Sequence, residues 1–182
     1  MSADRSDDIA RLAAANRFRL QRTDLAARVR GLLGPHVVYE LLADSTRAAA
    51  IAEEFWDSLR FAESNERSFF VREWSTDDIE SVSAVLHRIN HSLGRRLVWV
   101  SWSQRESQVA ELDSDAVLDN PIGFANLSDH ELRLLDREVT AGLWLGRHAH
   151  HFGPDHAEYS WELNVWGEPW LAAATRAIRE AE

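Results

Sequence analysis

The run HAHHFGPDH, residues 148–156, holds the densest group of side chains that could do chemistry: His148, His150, His151, Asp155 and His156. Side chains on an extended strand alternate between faces, so His148 and His150 share one side. Two imidazoles on one face suit a divalent metal such as zinc. Asp155 or His156 could return across the following loop, and Glu162 lies on the facing segment as a further ligand or base. A site of this kind with an open position activates water. Against this stands the plainer expectation that histidines beside a loop are solvated polar residues, with no cofactor at all. A strand that frays before His150 would scatter the rings.

His87 and His91 are four residues apart on a helical segment, a second metal-compatible spacing. At about 100° per residue both lie far from the apolar stripe of that helix, which places them in solvent. Other chemistries are excluded by composition. There is no cysteine, hence no disulfide and no thiolate site. All 20 basic residues are arginine, so no lysine is present for a Schiff base or a phosphate-binding loop. The glycine-rich nucleotide fingerprints, G-x-S-x-G and H-E-x-x-H are absent, and only 8 glycines are present for phosphate-cradling loops.

Charge is unevenly placed. Residues 1–105 carry 15 acids and 15 arginines, whereas residues 106–182 carry 15 acids and 5 arginines, and therefore the whole net charge of −10. A one-signed surface steers a basic partner and repels phosphate backbones, so nucleic acid is not expected. Solubility alone is the competing explanation. Most of the 8 tryptophans are expected in the core. Trp166 alternates with Glu162 and Asn164 and is expected on a polar face, where a tryptophan among carboxylates suits an arginine-rich partner. Asp155, Glu158, Glu162 and Trp166 are accordingly the expected partner-binding residues.

These residues need a scaffold. Helical spacing runs through 6–22 (Ile9, Leu12, Ala13, Asn16, Leu20) and again through 23–33 (Leu25, Val29, Leu32, Leu33), stopped by Gly34-Pro35. Being amphipathic, both must dock on the sheet or on another subunit. Residues 36–42 read as a strand. A helix follows with Ala48, Ile51, Ala52, Phe55, Leu59 and Ala62 inward. Residues 68–74 have strand composition, and Ser75 with Asp78 resembles a capping box opening a helix faced by Ile79, Val82, Leu86, Ile89 and Leu93. Residues 96–103 form a strand apolar on both faces, hence central, with 108–112 as its partner. Residues 113–126 read as a loop. Ser128-x-x-Glu131 reads as opening a short helix through Leu132, Leu135 and Val139, although ELRLL also suits an extended segment. Residues 140–150 and 159–166 form two strands joined across Gly153-Pro154-Asp155, the second with one face buried and one wet. Pro169 starts a closing helix with Leu171, Ala174 and Ile178 inward.

The pattern predicts one α+β domain over 1–182, with residues 1–34 as a helical segment packed on it. Its sheet is antiparallel or mixed, with helices mainly on one face and a helix closing the C-terminal end. The acidic N-terminus lacks an apolar core for a signal peptide and no apolar run reaches membrane length, so a soluble, cytoplasmic, bacterial-type protein is expected. The expected function is a non-catalytic acidic interaction module, such as an immunity protein, inhibitor or adaptor that binds a basic protein. The alternative is a metal-dependent enzyme or metal-binding protein using His148, His150, His151 and His156. Oligomeric state is not legible.

Overall fold

A computed structural model describes residues 2–34, 37, 39–65, 69–102, 108–151 and 157–181. The element order is α1 (Ser2–Leu33), β1 (Glu40–Leu41), α2 (Ser45–Glu63), β2 (Phe69–Ser75), α3 (Ile79–Leu93), β3 (Leu97–Trp102), β4 (Gln108–Asp113), α4 (Ser114–Leu118), α5 (Pro121–Ala125), β5 (Glu131–Asp136), β6 (Gly142–His151), β7 (Ala157–Trp166) and α6 (Trp170–Arg179). The strands form one seven-stranded sheet in the order β1-β4-β3-β5-β6-β7-β2, every pairing antiparallel. No described helix is long and apolar enough to cross a membrane.

One face of the sheet is mainly apolar, with Gln108 buried opposite Trp102. Val98, Val100 and Trp102 of β3, Leu132 and Leu134 of β5, Leu143 and Leu145 of β6, and Trp161, Leu163 and Val165 of β7 are buried there. Helices α3 and α6 pack side by side over them with the short α4 and α5. Burying these side chains removes their apolar area from water at roughly 25 cal/mol per Å², the main driving force for this layer. The opposite face is covered only in part. Trp99, Val109, Leu135 and Trp166 meet α2 there through Phe55 and Leu59. The α+β class and the preference for one face are therefore as the periodicity implies, with α2 covering part of the other.

Where periodicity is unambiguous, side chains fall as expected. The six inward residues of α2 are the six it buries, and Asp44 caps it by accepting from the N–H groups of Thr46 and Arg47. β3 is central, flanked by β4 and β5, with His87 and His91 exposed on α3. Elsewhere the structure corrects the reading. Residues 2–33 form one helix rather than two. In the expected strand 36–42, of which part lies outside the described residues, pairing covers only Glu40 and Leu41. The supposed loop 113–126 holds α4 and α5, and its Asn120-Pro121 step is a cap followed by a first-turn proline, with Asn120 accepting from the Gly123 N–H.

The helix expected at Ser128-x-x-Glu131 is strand β5. Asp129 and His130 have φ of 45° and 64°, a left-handed turn that no helix start tolerates. The ELRLL run is a strand buried on both faces, which helical spacing mimics. Ser75 and Asp78 form no capping box: α3 begins at Ile79, which is 43 % exposed, and Asp78 makes no side-chain cap bond. In α6 the inward position is Trp170, fully buried, rather than Leu171.

Phe55 anchors α2, its ring edge-on to Trp56 and Trp166 at 5.3 and 5.4 Å with none of its surface exposed. Phe55→Ala is expected to cost about 3–5 kcal/mol, measured by urea unfolding. A loss under about 1 kcal/mol would show that α2 is not held this way.

Candidate acidic sheet face

The strand registers fix what stands beside what on the face that α2 partly covers. Directly opposed residues share a face, so side chains fall in rows across the sheet. The first row, Trp99, Leu135, Gly142 and Trp166, lies under α2. The next is Ser101, Arg133, Trp144 and Asn164. Beyond it come Glu131, Gly146, Glu162 and Glu73, then His148 and Ser160 beside Ser75, and finally His150 opposite Glu158. The face thus changes from apolar to polar to acidic along the strands.

Arg133 marks the boundary. It is 4 % exposed, its guanidinium lies 4.4 Å from the Trp56 ring centroid, and it pairs with Glu131. Burial pushes its pKa down, and the Glu131 carboxylate beside it opposes that shift. Trp144 lies along its own strand over Gly146, where any Cβ would collide with the indole; glycine is required there by space alone. Asn164 is buried and its amide donates to Glu162 at 2.8 Å.

On the open rows, His150 Nε2 lies 2.7 Å from Glu73 Oε1 and 2.8 Å from Ser160 Oγ, and the Ser160 hydroxyl donates to the same Glu73 oxygen at 2.5 Å. Glu73 is held below its ordinary 4.5, first by the Ser160 hydroxyl, then by the His150 bond, and further by the charges of His150 and His148; slight burial opposes this. Serine, histidine and glutamate are the residue types of a nucleophilic triad, yet the arrangement differs from one. Both oxygens meet the same ring nitrogen, and Ser160 gives its proton to Glu73 directly. A triad needs the carboxylate on the other nitrogen, orienting the base toward the serine. The cluster is an electrostatic and hydrogen-bonding knot that fixes the acidic rows in place.

The expected site residues separate accordingly. His148 and His150 share a face as alternation requires, with ring centroids 5.1 Å apart. His151 falls on the opposite parity and is exposed. Asp155 and His156 lie outside the described residues. Among the described residues no three histidine, aspartate or glutamate side chains converge as a metal site. Glu158 is exposed and Glu162 half-buried, both on the acidic face. Trp166 is the clear correction. It is 1 % exposed, under α2, with its indole N–H donating to Ser58 at 2.6 Å, and so offers no partner its ring. Its parity was read properly, but the helix covering that end of the face leaves no mark in the β7 sequence. Likewise Ser160 and Asn164, expected on a wet face, are 7 % and 3 % exposed.

Glu73, Glu131 and Ser160 belong to this face and were not singled out from sequence. Glu73 and Ser160 are 87 residues apart, and only the β2–β7 pairing brings them together. Alternation within β7 could have added Ser160 to Glu162.

A scan against protein-family models finds no match, and neither the curated proteins nor the solved structures contain one.

Because its folded-state pKa is depressed, Glu73 contributes stability at neutral pH that fades as pH falls through that value. The stability difference between the native chain and Glu73→Gln is expected to shrink as pH falls through the acidic range in which Glu73 takes up its proton. Denaturant unfolding at a series of pH values measures it; a difference that grows in acid would contradict the assignment.

Proposed function

We propose that the protein is a non-catalytic interaction module that holds a basic protein against the open end of its sheet, as an immunity-type inhibitor or adaptor would in the cytoplasm. One observation carries the reading. On the face that α2 partly covers, the described ionisable side chains beyond its cover are Glu73, Glu131, Glu158, Glu162, His148 and His150, whereas the described arginine on that face, Arg133, is buried against Trp56 and Glu131. Such a one-signed rigid surface raises the encounter rate with a cationic partner and rejects phosphate backbones. Trp144, half-buried over Gly146 between the covered and open rows, takes the aromatic role expected of Trp166 and offers an arginine a surface to stack on. The His150–Ser160–Glu73 knot supports binding over catalysis, since its bonds hold the carboxylate in place without activating the hydroxyl. The zinc alternative retains His148 and His150 as its described ligand pair and lacks a described third.

The test uses a fluorescent oligoarginine peptide and the purified chain, with anisotropy read at low and high salt. The native chain is expected to bind in a salt-sensitive way. Asp155→Arg/Glu158→Arg/Glu162→Arg should weaken binding by roughly tenfold at low salt and flatten its salt dependence. Equal affinity for both proteins, with the variant's circular dichroism unchanged, would defeat the proposal.

A further inference from the structure

The first helix presents two faces, and only one is used. Phe18, Leu25 and Val29 are buried against the body of the protein. Ile9, Leu12 and Leu20 are 61 %, 62 % and 65 % exposed, and with Ala13 and Asn16 they form the apolar stripe that the sequence shows. At about 100° per residue this stripe lies roughly opposite the docked face. Residues 6–16 of the 32-residue helix include no buried side chain, and of them Ala13 and Ala14 alone are half-buried. A helical segment of that length is marginal in water unless something covers its apolar side.

Charge along the arm says what the cover is. Asp8 flanks one end of the stripe and Arg19 the other, whereas Arg22 turns to the body and donates to the Leu41 carbonyl at 3.0 Å. Asp8 and Arg19 lie on the same flank at helical spacing. Two copies laid parallel would put this flank on opposite sides of the seam, so that neither Asp8 nor Arg19 meets an opposite charge. Laid antiparallel, each Asp8 faces the Arg19 of the other copy, the helix dipoles oppose favourably, and Ile9 of one copy meets Leu20 of the other with small Ala13 near the crossing point. The Arg11 contact to Asp8, at 3.1 Å, is an exposed pair within one turn and competes weakly.

We propose that α1 is a self-association element through which two copies of this chain pair antiparallel, burying the Ile9–Leu12–Leu20 stripe. With three large apolar side chains from each copy, the dimer forms at about micromolar concentration rather than being obligate. The surface is separate from the acidic sheet face, so either reading stands or falls without the other.

Sedimentation equilibrium of the full chain over a range of concentrations should show a reversible monomer–dimer system. Ile9→Glu/Leu12→Glu should shift its midpoint at least roughly tenfold higher while oligoarginine binding stays unchanged. Asp8→Arg and Arg19→Asp should each weaken the dimer, and together restore it. The chain has no cysteine, so orientation is read directly. An equal mixture of Ile9→Cys and Leu20→Cys proteins should oxidise mainly to the mixed 9–20 cross-link. A chain monomeric at every concentration, a dimer untouched by the double glutamate variant, or a 9–9 cross-link in excess would each overturn the proposal.

Discussion

The packing of α2 on one end of the sheet governs what the rest of the molecule can present. Phe55 wedges against Trp166, and Trp56 lies over the Arg133 guanidinium, so this single helix seals the apolar rows and stops at a charged one. Had α2 extended its cover along the strands, Glu131, Glu162 and Glu73 would have lost their water. Burying carboxylates without partners is far more costly than the apolar contacts could offset. The end of α2's cover and the start of the acidic rows are therefore one constraint seen from two sides.

Arg133 makes that boundary sharp. A buried guanidinium must keep a carboxylate close, and Glu131, two residues along the same strand and on the same face, supplies it. Around it lies a polar seam in which Arg133 Nε, Trp144 Nε1, Asn164 Oδ1 and Ser101 Oγ find no partner among the described groups. Each such atom costs roughly 1–3 kcal/mol, and the other layer carries its own at Trp102 Nε1, Gln108 Oε1 and Trp170 Nε1, set around the fully buried Leu134, Leu143 and Leu163. The sheet has a structural side and a displaying side, and its stability comes mainly from the former.

Much of this was legible, and the failures share a cause. The α2 stripe, the central position of β3 and the β6–β7 hairpin each follow from a period of 3.6 or 2 with one partner surface. β5 misled because a strand buried on both faces loses its alternation: Leu132 and Leu134 serve one core, Arg133 and Leu135 the other. Trp166 misled because parity gives the face of a strand but not how far along it a helix from elsewhere in the chain extends. Glu73 escaped notice because its partners lie across an 87-residue separation, and local spacing carries no signal of strand order. The first helix gave true stripes whose destination, sheet or another subunit, spacing left open: Leu25 and Val29 meet the body together with Phe18, while Ile9, Leu12 and Leu20 lie on the other side.

That last case bears on how the charge asymmetry of the chain should be understood. A net charge of −10 opposes association between copies through any surface that shares it. The acidic sheet face is thereby protected from pairing with itself, as the proposed cationic partner requires. Contact between copies requires a region where the signs are mixed and segregated along an axis, and among the described elements α1 has that layout, with Asp8 at one end of its stripe and Arg19 at the other. The same imbalance that would draw the proposed basic partner to one surface closes that surface to self-association, and leaves the first helix as the element suited to it.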